Sequence, residues 1–227
     1  HLVLTSSDPF LQQALAEREA IDLIQLHIYS EHHLAKEIAE QLAAWREAFE
    51  LPIVVAEYGL KKRQEESCGW LTEGLYAALL SGAAGAWPWI QDEPEHGPCY
   101  ARMTAARRFL GSNGNAGRAF EVIEATIVNN EPESERLVFA ARTAESVLCY
   151  VTGKQAVPAN RPEDGDVAVR LQPLEAGEYI LHEWNPTLGR VIRSREIVAS
   201  GGAAEVAIPL RGEGCLIELI RRGRPDG

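Results

Sequence analysis

The sequence has no basic excess, no long apolar run and no closely spaced cysteines, and each absence removes a class of function. Lysine and arginine number 22 against 33 aspartates and glutamates, a formal net charge of −11 at pH 7. A chain of that sign lacks the surface that neutralises nucleic-acid phosphates or holds to an anionic bilayer. No nucleic-acid partner and no membrane partner are therefore expected, and a neutral substrate suits the charge balance. No segment approaches the roughly 20 apolar residues of a membrane-spanning helix, and no basic-then-apolar stretch resembles a signal peptide. The expectation is a soluble protein, cytoplasmic or secreted. The four cysteines, Cys68, Cys99, Cys149 and Cys215, include no CxxC pair, so neither a zinc knuckle nor a dithiol redox motif is signalled. Buried free thiols are the simpler expectation. Cys149 and Cys215 both fall in expected strands and could pair, which leaves the compartment open.

What is present is ordinary globular composition, 46% hydrophobic and 24% charged over 227 residues, more than one average domain requires. Short apolar strands are expected at residues 2–6, 23–29, 53–57 and 84–89, at the spacing of a βα repeat. Between them lie helical patterns. The clearest carries Leu34, Ile38, Leu42, Trp45 and Phe49 on one stripe, opposite Lys36, Glu37, Glu40, Arg46 and Glu47, and should pack one face on a sheet. Asp8 and Pro9 read as the cap and first residue of an earlier helix through Leu11 and Leu15. Trp70, Leu71, Leu75, Ala78 and Leu79 mark a third helix, and Tyr100, Met103, Ala106 and Leu110 a fourth. After residues 111–115, Gly-Ser-Asn-Gly-Asn, the pattern changes to alternating strands with turn signals. Expected strands there span 120–128, 136–142, 147–152, 167–171, 179–184, 190–198, 205–208 and 215–220, the pattern of a β-sandwich. The predicted domains are residues 1–112, an α/β unit, and 113–227, all-β.

In parallel βα architectures the reactive groups gather at the C-terminal ends of the strands. Here those ends are polar. Alternation places Gln25, His27 and Tyr29 on one face of the second strand and Leu26 and Ile28 on the other. The same alternation puts Glu57 with Ile53 and Val55, a carboxylate at the end of an otherwise apolar face. On the fourth strand Gly85, Trp87 and Trp89 share a face, an aromatic platform of the kind on which sugar rings stack, with Asp92 and Glu93 at its mouth. A lone His27, Trp87 or Glu57 would be an ordinary structural residue. Their common depth in successive units is what points to a site.

These residues resemble the clan of retaining (β/α)8 glycoside hydrolases that includes cellulases and β-mannanases. Residues 1–6 look like the fifth strand of that barrel. Residues 21–29, with His27-Ile28-Tyr29, look like the sixth. Residues 52–59, with Glu57, look like the seventh, where the clan carries its nucleophile, and residues 80–89, with Trp87 and Trp89, look like the eighth. A closed barrel takes about 250 residues, so the resemblance implies half a (β/α)8 (TIM) barrel, strands five to eight, followed by a β-sandwich. It further implies that Glu57 attacks the anomeric carbon to form a covalent glycosyl-enzyme. Tyr29 would donate a hydrogen bond to Glu57, and His27 would contact substrate or hold the carboxylate network. Trp89 or Trp87 would floor the sugar subsite, with Gln25 and Asp92 as further substrate-binding residues. The partner implied is an oligosaccharide or polysaccharide.

Retaining chemistry needs a second carboxyl group roughly 5–5.5 Å from the first as acid and then base. In this clan it ends the fourth strand, so it is expected upstream of this chain. Asn130-Glu131-Pro132 matches the acid/base motif by letter, but the segment reads as a polar hairpin turn. A half-barrel is expected to be a fragment of a longer enzyme, completed by a missing N-terminal half, or to be completed as a homodimer. A non-catalytic carbohydrate-binding or structural module is the alternative to an enzyme, and an interaction module built on the sandwich a third. No metal and no cofactor are implied. His32 and His33 point apart at a helix start, and the glycines at 111 and 114 lack the flanking strand and helix of a phosphate loop.

Overall fold

Aliphatic runs at residues 23–30 and 53–60 form the centre of a parallel sheet, buried on one side by one amphipathic and one largely apolar helix. The computed structural model describes residues 4–5, 14, 21–31, 33–60, 68–88, 97–112, 120–128, 136–152, 166–209 and 214–223. The chain divides into two units, His1–Cys99 and Tyr100–Gly227. In the first, β1 (Leu4–Thr5), β2 (Leu23–Ser30), β3 (Ile53–Leu60) and β4 (Gly85–Pro88) lie side by side in chain order, and every pairing is parallel. Helices α1 (Leu34–Ala48) and α2 (Gly69–Leu80) connect them. The expected helix from Asp8 lies outside the described residues except at Ala14, which is helical.

The stripe on α1 packs as its spacing predicts. Leu34, Ala35, Ile38 and Leu42 are buried, each of the larger three contributing about 1.5–3 kcal/mol by leaving water. Trp45 and Phe49 are half-buried, with ring centroids 5.5 Å apart. Ser30 ties the end of β2 to this helix: its Oγ accepts from the His33 N–H at 2.9 Å and donates to Glu37 Oε1 at 2.9 Å. On α2, Leu71, Leu75 and Ala78 are buried together with Gly74 and Tyr76, so this helix is enclosed on more sides than a single stripe requires. Gly74 lies against the ring of Tyr58, where a Cβ would come within 2.5 Å of Cε2. The Tyr58 hydroxyl donates to the Leu71 carbonyl at 2.6 Å, and burial pushes this phenol well above the usual tyrosine range.

The cysteine expectation is corrected for Cys68 and Cys99, which form a disulfide with Cα atoms 5.2 Å apart. A bridge between residues 31 apart in sequence depends on tertiary proximity of the starts of two helices, Cys68 just before α2 and Cys99 in the first turn of the helix that begins at Gly97, which spacing cannot show. Cys149 and Cys215, which could have paired, remain buried thiols. They are offset on adjacent strands, Cys149 opposite Ile217 and Cys215 opposite Val151, so they are diagonal rather than facing.

In the second unit, α3 (Gly97–Leu110) buries Phe109 edge-on against Trp184, centroids 5.5 Å apart. Gly189, at φ +57°, approaches the Ala105 backbone so closely that a Cβ would lie 2.5 Å from its Cα. These contacts place most of α3 with the strands that follow, and the division between the units falls within the helix, after Cys99. The strands are β5 (Glu121–Val122), β6 (Glu124–Val128), β7 (Val138–Arg142), β8 (Ser146–Thr152), β9 (Asp166–Leu174), β10 (Gly177–Asn185), β11 (Arg190–Ala199), β12 (Gly202–Pro209) and β13 (Gly214–Arg221). They form a six-stranded sheet, β11-β10-β13-β8-β7-β5, and a three-stranded sheet, β12-β9-β6. Both are antiparallel. The single strand expected at 120–128 is therefore two, because the chain crosses between sheets at buried Ile123, whose N–H donates to the Ala140 carbonyl at 3.1 Å. Inward residues of both sheets, among them Val147, Cys149 and Val151 on β8, Val169 and Leu171 on β9, and Val206 and Ile208 on β12, make one apolar core.

Candidate active site

Strand β2 presents two chemically distinct faces. Ile24, Leu26 and Ile28 are buried, while Gln25, His27 and Tyr29 retain access to solvent on the other face. That much follows from period-two alternation.

Glu57 does not follow it. Strict alternation groups Glu57 with Ile53 and Val55, and the structure corrects this. Leu26 pairs with Val55, but the next pair is His27 with Glu57, so Ala56 is an extra residue in β3, a β-bulge. Partnered residues of a parallel ladder point to the same side of the sheet. Glu57 therefore joins the face of Gln25, His27 and Tyr29, whereas Ile53, Val55 and, after the bulge, Tyr58 are buried. On the far side of β3, Val54 pairs with Gly85, Val55 with Ala86 and Tyr58 with Pro88. Alternation from Gly85 puts Trp87 on the Glu57 face, where it is 68% exposed. Trp89, Asp92 and the Asn130-Glu131-Pro132 segment lie outside the described residues.

The side chains on this face converge. The Tyr29 hydroxyl donates to Glu57 Oε2 at 2.6 Å, and His27 Nδ1 lies 3.3 Å from the same oxygen. No described residue donates a hydrogen bond to Oε1. Gln25 Nε2 stands 3.2 Å from His27 Nε2, so Gln25 touches the histidine. The His27 and Glu57 side chains are 34% and 27% exposed, open enough to meet a ligand. Burial, the hydrogen bond given to Glu57 and the charge of Glu57 together push the Tyr29 phenol up to about 12. Tyr29 is thus a proton-bearing donor throughout the neutral range. The arrangement holds a carboxylate by one oxygen and presents the other, which is what attack at a carbon centre requires.

Two supporting residues escaped the sequence reading. Tyr58 anchors the residue after Glu57 to α2, and Ser30 anchors the residue after Tyr29 to α1. Neither carries a motif. Among the described residues no group of three or more His, Cys, Asp or Glu side chains forms a metal site, and no helix is long and apolar enough to cross a membrane.

No protein-family model and no curated protein sequence matches the chain. Solved structures do. A GH30 endoxylanase from Clostridium papyrosolvens C71 superposes with a TM-score of 0.54 at 12% identity, over 90% of this chain and 50% of that one. A glycoside hydrolase family 5 protein from Bacteroides vulgatus ATCC 8482 superposes with a TM-score of 0.55 at 10% identity, over 92% of this chain and 53% of that one. A further structure described as a glycoside hydrolase gives 0.57 at 10% identity, over 92% and 54%. The chain spans about half the length of the solved structures it matches, and its fold is the one that part of these glycoside hydrolases adopts.

Proposed function

We propose that this chain carries the nucleophile side of a retaining glycoside hydrolase acting on β-linked saccharides. The observation that carries the reading is Glu57, held through Oε2 by Tyr29 and His27 with Oε1 open on the solvent-facing side of a parallel sheet. Four parallel strands in the order β1-β2-β3-β4, in a chain that spans about half of its structural neighbours, support assignment of the first unit as strands five to eight of a (β/α)8 barrel. The second unit is then the β-sandwich that follows it. In the first step Glu57 Oε1 bonds to the anomeric carbon as the glycosidic C–O bond breaks, and the leaving oxygen takes a proton from an acid/base carboxyl group outside this chain. In the second step that group removes a proton from water, water bonds to the anomeric carbon, and Glu57 leaves as carboxylate. The exposed ring of Trp87 supplies a stacking surface for the sugar. The Cys68–Cys99 bridge fits an oxidising compartment, hence export.

Incubation with activated 2-deoxy-2-fluoro glycosides, whose leaving groups need little acid assistance, tests this. A sugar adduct mapped to Glu57, and absent from Glu57→Gln, is expected. A folded sample that takes no adduct from any member of the panel would remove the nucleophile role. A second reading, a carbohydrate-binding unit without turnover, is favoured by a cavity of about 150 Å³ in the second unit lined by Trp184, Asn185 and Thr187. It predicts saccharide binding that survives Glu57→Gln.

A further inference from the structure

We propose that Gln25 is a positioning residue that keeps His27 neutral, with its single ring proton on Nδ1 and directed at Glu57. The inference rests on what each nitrogen is able to do. A side-chain amide nitrogen only donates. With Gln25 Nε2 3.2 Å from His27 Nε2, the ring nitrogen there must offer a lone pair. The one remaining ring proton then belongs on Nδ1, which lies 3.3 Å from Glu57 Oε2. Residues 25, 27 and 29 share a face because β2 is regular across them, so the amide, the imidazole and the phenol form a row beside the carboxylate.

The alternative amide orientation has a different consequence. With its carbonyl oxygen toward the ring, Gln25 would accept from Nε2–H, and a second proton on Nδ1 would make His27 an imidazolium against Glu57. A full positive charge on the His27 ring beside Oε2 draws electron density from the carboxylate and weakens its attack, whereas a neutral N–H orients it and leaves Oε1 nucleophilic. The amide thus selects between two charge states of the group beside the reacting carboxylate. The catalytic meaning of this choice rests on the proposed role of Glu57; the tautomer itself does not.

Long-range ¹H–¹⁵N spectra of the ¹⁵N-labelled chain at neutral pH, with His27 assigned by its loss in His27→Ala, read the tautomer directly. The expected pattern is a protonated Nδ1 and an unprotonated Nε2. Gln25→Leu should lose the Nδ1–H preference. In the near-isosteric Gln25→Glu the new carboxylate should draw a proton onto Nε2. A wild-type ring protonated on Nε2 or on both nitrogens overturns the proposal, as does an unchanged Nδ1–H pattern in folded Gln25→Leu, which would leave Glu57 alone in control. Failure of sugar labelling with the Nδ1–H pattern intact would sink the glycosidase reading and not this one, and the converse result would do the reverse.

Discussion

His27 and Glu57 stand side by side on β2 and β3 because β3 holds one more residue than β2 between their shared pairs, Ala56. The bulge does two things at once. It keeps Ile53, Val55 and Tyr58 buried, and it turns the carboxylate to the opposite side, where Tyr29 and His27 meet it. A regular strand would have sent Glu57 into the side packed by α1 and α2, where an unpaired charge costs several kcal/mol. The apolar requirement and the functional one are reconciled by a single inserted residue.

Deleting Ala56 offers a direct test of that relationship. Without it Val55 remains opposite Leu26 and Glu57 remains opposite His27, so the ladder becomes regular and Glu57 keeps its face. The expected product is a folded chain in which the Tyr29 phenol still ionises late. A Tyr29 that returns to ordinary behaviour in this variant would show that the bend of the bulge, and not the face alone, brings the two side chains together.

The Tyr29 phenol itself is predicted to titrate at about 12 rather than at 10.0, followed by ultraviolet phenolate absorbance against Tyr29→Phe. Glu57→Gln removes the charge and should lower the midpoint, yet not to the ordinary value, because burial is the largest of the three causes. The sign for stability follows. A phenol whose folded pKa is raised contributes fully below the unfolded value near 10, and the contribution is lost as pH rises through about 12. Denaturant midpoints of wild type and Tyr29→Phe should therefore converge over that window.

Gly74→Ala should destabilise the first unit. The new methyl carbon would sit 2.5 Å from Tyr58 Cε2 and 2.6 Å from Cδ2, and the ring is held by its hydroxyl bond to Leu71. Overpacking of this kind costs about 1–3 kcal/mol, against about 0.5–1 kcal/mol gained by replacing a mid-helix glycine. Urea midpoints measure the balance. In a Tyr58→Leu background the same substitution should stabilise, and a rise in the wild-type background would mean the ring has room to move.

Under non-reducing denaturation two thiols should react with a thiol reagent, Cys149 and Cys215, and all four after reduction. In the folded protein the two should react slowly, since both are buried and burial with the neighbouring Cys215 raises the Cys149 thiol far above its usual range. Removing the bridge as Cys68→Ala with Cys99→Ala should cost about 3–4 kcal/mol by loop-closure entropy for a loop of this length. Equal denaturant midpoints with and without reductant would show that the native loops are already held by other contacts.

Much of the local organisation was legible in the sequence. The expected strands at 23–29 and 53–57 appear as Leu23–Ser30 and Ile53–Leu60, and the stripe on Leu34–Ala48 buries Leu34, Ile38 and Leu42. The polar row Gln25, His27 and Tyr29 was legible too, because alternation over an unbroken strand is a property of the chain itself. The side to which Glu57 points was not. Its one clue was a conflict, a carboxylate closing a run that must face helices, which periodicity alone cannot resolve. Likewise nothing in residues 120–128 shows that the chain leaves one sheet for another at Ile123.

The sequence by itself determined where most strands and helices form, which residues of β2 are polar, and a formal net charge of −11, since each depends on nearest neighbours or on a sum. Register, the bulge at Ala56, the Cys68–Cys99 bridge and the meeting of Tyr29, His27 and Glu57 on one oxygen were decided only by tertiary structure. Each joins residues distant in the chain, and pairing between distant residues is settled by how whole strands and helices bury their apolar faces together.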